Sequence, residues 1–465
     1  MIVLREYQQR AAESIRHAFR RGLRRPLYVA PCGSGKTILF GYIAAETRRR
    51  GNSVVIVTHR GELLRQTVKE LARFGIRAGV IAAGYEQTRG EPVQVASIQT
   101  LTRRVGQIPA PSLIIVDEAH HSLASTYRAV LGGWSSAQAL GVTATPWRMN
   151  GQGLGEIYDT LIPGPAPREL IEAGFLAQPR YLVPPVVADL SGLSIRAGDY
   201  AKDEITARMD KPVVTGDAVQ HYARLCPNAR AVAFCTSIAH GDHVAADFRK
   251  AGIPAAQIDG RMSEAERIGM VKALEAGTIR VLTSCELIQE GFDLPALDAV
   301  IVLRPTTSLA FHIQCIGRAM RPAPGKTEAL VLDHVGNCLN PKLGKVEDDR
   351  EWTLEGRTVK KRVTVESVRY RRCPECFAVF TIWSRHCPEC GCIVVVTAPS
   401  MPEQVAGELT DLEQLRQKER ERRDISNAWS LESLLALAKR RGYKPGWAYH
   451  IQRVRDERGK RYGRR

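Results

Sequence analysis

The residues most able to do chemistry fall in three places, and the first is the octapeptide Ala30-Pro31-Cys32-Gly33-Ser34-Gly35-Lys36-Thr37. It follows an apolar run and precedes a helical one, the setting in which glycines let successive backbone N–H groups turn onto phosphate oxygens. Gly33, Ser34 and Gly35 would shape that cradle, Lys36 would supply charge to the β and γ phosphates, and the Thr37 hydroxyl would ligate Mg²⁺. Ala30 stands where the general pattern has its first glycine. The second place is Asp117-Glu118-Ala119-His120, directly after the apolar run Leu113 to Val116. A carboxylate at the end of a buried strand is costly unless it faces a cleft or a cation. Asp117 would hold Mg²⁺ through water, and Glu118 would orient or deprotonate an attacking water. A solvated acidic turn is the plainer alternative; the phosphate loop upstream weighs against it.

The third place is Gln314-Cys315-Ile316-Gly317-Arg318-Ala319-Met320-Arg321. On one continuous helix, Gln314, Arg318 and Arg321 share a face, so an amide and two guanidinium groups converge on one target. A planar, permanently charged fork suits phosphate oxygens. Separately, Cys373-Pro374-Glu375-Cys376 and Cys387-Pro388-Glu389-Cys390 place four thiols in two C-x-x-C pairs, the ligand set of tetrahedral Zn²⁺ in a ribbon. His386 and Cys392 lie nearby and are expected as neighbours of the site. Lys360, Lys361, Arg362, Arg369, Arg371 and Arg372 make the surroundings basic, which suits nucleic acid, although a structural or protein-docking role fits as well.

These groups need a scaffold that brings them together. Leu27 to Val29, Val54 to Val57, Val93 to Val95 and Leu113 to Val116 are β-branched runs alternating with amphipathic stretches, which predicts a parallel sheet covered by helices. A connection follows from Pro163 to Pro185, and a second series then runs through Ala231 to Phe234, Val281-Leu282, Ala299 to Leu303 and Ala329 to Leu332. The expected division is a first lobe over 1–165, a connection over 166–210, a second lobe over 211–340, a linker over 341–370, a zinc ribbon over 371–396 and a basic helical region over 408–465. In the last, Leu431, Leu434, Leu435 and Ala438 form the apolar stripe of a helix.

Composition narrows the partners. The 465 residues carry a net charge of +17, and 16 basic against 6 acidic residues after 415 give the tail +10 of it. That surplus favours polyanions through counterion release. Met1-Ile2-Val3-Leu4-Arg5-Glu6 reaches charge too early for a secretory signal, and no apolar run approaches the roughly 20 residues that span a bilayer. A cytoplasmic, monomeric protein without a membrane partner is expected. Of the 11 cysteines, five crowd between 373 and 392, which points to metal and away from disulfides.

In this order, the motifs resemble those of superfamily 2 helicases of the DEAH-box type, over about Leu4 to Asn337. The resemblance implies two tandem RecA-like lobes that hydrolyse ATP with Mg²⁺ between them. Leu4-Arg5-Glu6-Tyr7-Gln8 is similar to the adenine-reading element, with Gln8 on the base edge. Thr58-His59-Arg60-Gly61-Glu62-Leu63, Ser97-Ile98-Gln99-Thr100, Ile258-Asp259-Gly260-Arg261 and Leu282-Thr283-Ser284 resemble strand-gripping motifs, which assigns Arg60, Thr100, Arg261 and Thr283 to nucleic acid. Glu290-Gly291-Phe292-Asp293-Leu294-Pro295 resembles the element that links nucleotide to strand, with Asp293 toward the ribose or an arginine. Thr143-Ala144-Thr145 resembles the coupling motif, whose Thr143 and Thr145 work with His120. Arg318 and Arg321 then become arginine fingers, with Gln314 at the water or the phosphate edge. The paired Cys-Pro-Glu-Cys knuckles and the ending Arg441 to Tyr449 are similar to the RadD-type bacterial and phage helicases associated with DNA repair. An ATP-dependent DNA helicase or translocase, with a repair protein as partner, is the leading expectation. An RNA-remodelling ATPase and a non-catalytic zinc adaptor are the alternatives. Removing everything after Asn340 is expected to spare basal turnover and to weaken substrate binding.

Overall fold

The computed structural model describes residues 2–461 except 87, 89, 149–150, 184–193, 197–198, 210–211, 286–296, 357–369, 374, 382–383, 385, 394–427, 429 and 445. The chain forms two compact units, Met1–Val394 and Val395–Arg465.

In the first unit, α1 (Glu6–Arg20) leads into β1 (Pro26–Val29), α2 (Lys36–Arg49), β2 (Val54–Thr58), α3 (Gly61–Arg73), β3 (Gly79–Ile81), β4 (Val93–Ser97) and α4 (Ile98–Thr102). Then come β5 (Leu113–Asp117), α5 (Ser125–Gly133), β6 (Gln138–Thr143) and β7 (Thr160–Pro163). These strands make one parallel sheet in the order β3-β4-β2-β5-β6-β1-β7. Each of β1, β2 and β5 is buried along its whole length, as strands covered by helices on both faces must be.

The expected connection does more than connect. After α6 (Pro167–Glu172), β8 (Gln178–Leu182) joins the edge of the second sheet beside its last strand. The short β9 (Ile195–Arg196) and β10 (Asp199–Tyr200) precede α7 (Lys202–Met209) and α8 (Pro212–Leu225). The second lobe continues with β11 (Ala231–Phe234), α9 (Ile238–Lys250), β12 (Ala255–Ile258), α10 (Glu264–Glu275), β13 (Val281–Ser284), β14 (Ala299–Val302), α11 (Leu309–Ala319) and β15 (Glu328–Asp333). Its sheet is also parallel, in the order β12-β13-β11-β14-β15-β8. Two parallel sheets of this kind are RecA-like lobes, the fold class the sequence leads to.

Residues 343–356, expected as linker, run between the lobes as a strap. On the second lobe, His312 Nε2 donates to Gly344 O at 2.9 Å and Tyr181 OH donates to Glu347 Oε2 at 2.8 Å. On the first, Trp147 Nε1 donates to Thr353 O and Gly155 N to Leu354 O, both at 2.9 Å. The Trp147 and Trp352 rings meet edge to face at 4.8 Å. β16 (Tyr370–Arg372) and β17 (Val379–Thr381) form an antiparallel pair carrying the cysteine knuckles, and Cys373, Ala378, Phe380 and Cys387 share a core with Leu182 and Leu332. The knuckles thus belong to the second lobe's packing.

In the second unit the helix Leu431–Arg441 is capped by Ser430 and ended by Gly442, and it buries Leu434, Leu437 and Ala438. It packs on Trp447, Ala448 and Ile451 of the helix Gly446–Arg461. Among the described residues no helix is long and apolar enough to cross a membrane.

Candidate active site

The phosphate loop spans the end of β1 and the start of α2, at the carboxyl edge of the first sheet. Gly33 and Gly35 have φ of +81° and +76°, a left-handed backbone that only glycine adopts cheaply. Lys36 Nζ donates to Ala30 O and Pro31 O at 3.1 and 3.0 Å, so the ammonium already lies inside the loop it would share with phosphates. Tyr7 OH donates to Ser34 O at 2.7 Å and binds α1 to the loop. Gln8 differs from expectation. It is buried, its Nε2 donates to Ser34 O and Gly35 O at 3.4 and 3.3 Å, and its Oε1 accepts from Arg5 N at 3.0 Å. Both ends of the amide bond to protein, so here Gln8 fastens the loop to α1.

Asp117 closes β5, and Glu118 follows with φ of +50°. A left-handed glutamate is a strained turn of the kind that re-aims a side chain at a working site. Burial, and then the Glu118 carboxylate, push Asp117 up to about 7, while Lys36 pulls it back. Such a carboxylate gains most from a cation beside it, which together with the Thr37 hydroxyl at the start of α2 fits Mg²⁺. His120 Nδ1 lies 3.2 Å from Thr143 Oγ1 and 3.4 Å from Glu118 Oε2. Thr143 and Thr145 are buried, and Thr143 Oγ1 donates to Thr145 O at 2.9 Å.

The second lobe meets this loop directly. A Cβ on Gly317 would come within 2.6 Å of Cys32 Cβ, and one on Gly33 would lie 3.7 Å from Arg321 Cγ. The loop and α11 are therefore in contact across the cleft, and a glycine is needed where they touch. α11 ends at Ala319, so Arg321 lies past the helix and not on its continuous face. Pro322 explains the stop, because the residue before a proline is disfavoured in the α region. Arg321 still reaches the phosphate loop. Burial and the like charge of Arg321 lower Arg318 to about 10, with Cys32 and Glu118 opposing, so it stays cationic at neutral pH. Gln314 Nε2 is buried without a hydrogen-bond partner among the described residues. Asp293 lies outside the described residues.

The expected strand-gripping residues divide. Arg60 caps α3, Thr100 sits on α4, and Arg261 is exposed and paired with Asp259 at 2.8 Å. Thr283 is fully buried and donates to Gly241 O at 2.8 Å, which leaves its hydroxyl nothing to offer a strand. Two cross-lobe ion pairs that sequence spacing did not reveal lie beside Arg60 and Arg261 in the chain: Glu62 with Arg267 at 2.7 Å, and Arg65 with Glu264.

The four knuckle thiols lie within 4.8 Å of one another, with Cys373–Cys390 and Cys376–Cys387 Sγ separations of 3.5 Å. A tetrahedral Zn²⁺ with bonds of about 2.3 Å needs sulfurs about 3.8 Å apart, so the set fits.

Residues 1–148 match the family model of the type III restriction enzyme res subunit, and residues 217–323 match that of the helicase conserved C-terminal domain. A 51.5 kDa protein of a Lactococcus phage is 32% identical over 353 residues, covering 76% of this chain and 75% of its own. The chain belongs to the superfamily 2 helicases. This helicase is also similar to Irc3 of Saccharomyces cerevisiae, designated an ATP-dependent helicase, at 28% identity over 72% of the chain and 52% of the yeast protein. The chain thus spans about half the length of that relative. A solved fragment assigned to the HsdR subunit of a type I restriction enzyme from Vibrio vulnificus shares the fold, with a TM-score of 0.59 and 21% identity over 74% of this chain and 66% of that one. ATP-dependent helicase chemistry follows from the family.

Proposed function

We propose that this helicase hydrolyses ATP in the seam between its lobes and uses the resulting lobe motion to move along DNA, in repair or recombination. The observation that carries the reading is the two-sided contact at the phosphate loop, Cys32 against Gly317 and Gly33 beside Arg321. A triphosphate on that loop would have Lys36 on one side and Arg318, Arg321 and the Gln314 amide on the other. Losing its γ-phosphate would remove the charge that holds both sides together. Asp117 and Thr37 would hold Mg²⁺, which neutralises charge on the phosphates, and Glu118 would orient the water. Arg60, Thr100 and Arg261 would grip the backbone, leaving Thr283 inside. DNA is favoured over RNA because the first lobe's family model is named for a restriction enzyme. The knuckle thiols would hold Zn²⁺ as a structural ion, and the basic second unit would add backbone contacts.

The test is ATP turnover measured in parallel with single-stranded, duplex and forked DNA and with RNA. DNA should stimulate most, and Lys36→Ala should abolish turnover with the fold intact by circular dichroism. Glu118→Gln should keep nucleotide binding and lose turnover by about 10²-fold or more. Turnover stimulated by RNA alone would replace the substrate assignment, and full turnover in Lys36→Ala would eliminate the site.

A further inference from the structure

Three imidazoles stand between the strand-gripping face and the hydrolytic pair. His59 follows β2, His120 and His121 follow β5, and these strands are neighbours in the first sheet. The His59 and His121 ring centroids are 4.6 Å apart, and those of His121 and His120 are 4.1 Å apart, with tilts of 47° and 43°. The rings are in contact and form a column with His121 in the middle.

Each end of the column is tied by hydrogen bonds. Arg60 Nε donates to His59 Nε2 at 3.2 Å, and a guanidinium cannot accept, so that ring nitrogen carries no proton. Gln99 Nε2 donates to His59 O at 3.0 Å, which ties the same residue to the second gripping motif. At the other end the hydroxyl hydrogen of Thr143 goes to Thr145 O, so Thr143 Oγ1 must accept from His120 Nδ1. That same N–H lies 3.4 Å from Glu118 Oε2. The column therefore joins Arg60 and Gln99 to the Glu118 carboxylate.

We propose that His59 and His121 are positioning residues that convey nucleic-acid occupancy at Arg60 to Glu118. A backbone phosphate is a stronger acceptor than an imidazole for the Arg60 guanidinium and would draw it away. His59, released from that bond, resettles against His121; His121, held between two rings, passes the displacement to His120 and the carboxylate it faces. No proton leaves the column. The inference rests on the reading of Glu118 as the water-orienting group in a polynucleotide-stimulated ATPase, and it adds two residues that this reading does not use.

The experiment uses the full chain, with ATP turnover measured without and with saturating single-stranded DNA, the KM for ATP, and the Kd for a labelled oligonucleotide. His121→Ala should leave DNA-free turnover, KM and Kd within about twofold and lower the stimulation by about tenfold, within the range that coupling residues carry. His121→Phe retains a ring between its neighbours and should retain most of the stimulation. Full stimulation in His121→Ala overturns the proposal, as does His121→Phe behaving like the alanine variant, or DNA-free turnover falling in step with stimulated turnover. A wild type that no polynucleotide stimulates would refute the underlying reading instead, an outcome visible before any variant is made.

Discussion

At the scale of the residue, the seam is set by contacts too close for a side chain. Gly317→Val would put carbon within 2.6 Å of Cys32 Cβ, so the phosphate loop and α11 must move apart there. We expect a rise of about tenfold or more in the KM for ATP with little change in melting temperature, because the clash lies at a cleft and not in a core. Titration calorimetry of a nonhydrolysable analogue checks it, and unchanged affinity would mean that the lobes do not close on the nucleotide. Lys36, Asp117 and Glu118 could be read from the chain because their positions follow from a strand ending in a turn. Gln8 and Thr283 could not be read so, since their use depends on partners distant in sequence, Ser34 for one and Gly241 for the other. The stacking of His59 on His121 leaves no trace in spacing for the same reason.

At the scale of the element, α3 and α10 face each other through Glu62–Arg267 and Arg65–Glu264, and the first pair is largely buried, at 20% and 16% side-chain exposure. Reversing one charge leaves two like charges together in low dielectric, whereas reversing both restores the pair. Glu62→Arg should therefore weaken nucleotide binding, and Glu62→Arg with Arg267→Glu should recover at least half of the loss. Additive losses would show that the pair does not hold the closed form. On α11, burial pushes His312 down to about 4 while its Nε2–H serves Gly344 O. In the unfolded chain this ring titrates near 6.5, so the unfolded state takes up more protons as pH falls. The contribution is intact above pH 6.5 and is lost toward pH 4. Melting followed from pH 7.5 to 5 should show a shallower acid slope in His312→Gln than in the wild type. An equal slope would mean that the ring is charged in the fold. Apolar runs exposed β1, β2, β4, β5, β11, β13, β14 and β15 to sequence reading, but β8, with Gln178-Pro179-Arg180, reads as a loop. Proline survives in a strand at a sheet edge, which is where β8 lies.

At the scale of the whole molecule, the strap and the knuckles alter where the chain can be divided. A cut after Asn340 removes Thr353 and Leu354 from the first lobe and the Cys373–Phe380 packing from the second. A cut after Val394 falls between compact units. Residues 1–394 should keep DNA-free turnover while binding DNA more weakly and with a smaller salt dependence, and residues 1–340 should lose cooperative melting. Equal salt slopes for 1–394 and the full chain would remove the second unit from the DNA path. The two-lobe plan was legible because alternating runs and ordered motifs are local signals. The return of the strap was not, because a Trp–Trp contact between 147 and 352 is a property of the folded chain alone.

If one triphosphate is worked on from both lobes, Arg321→Ala must impair its cleavage, since Arg321 comes from the lobe without the phosphate loop. Single-turnover ATP cleavage, with analogue binding measured alongside, should show binding retained within about threefold and cleavage slowed by about 10³-fold, the scale of an arginine finger. Cleavage at the wild-type rate would mean that the second lobe has no part in the chemistry.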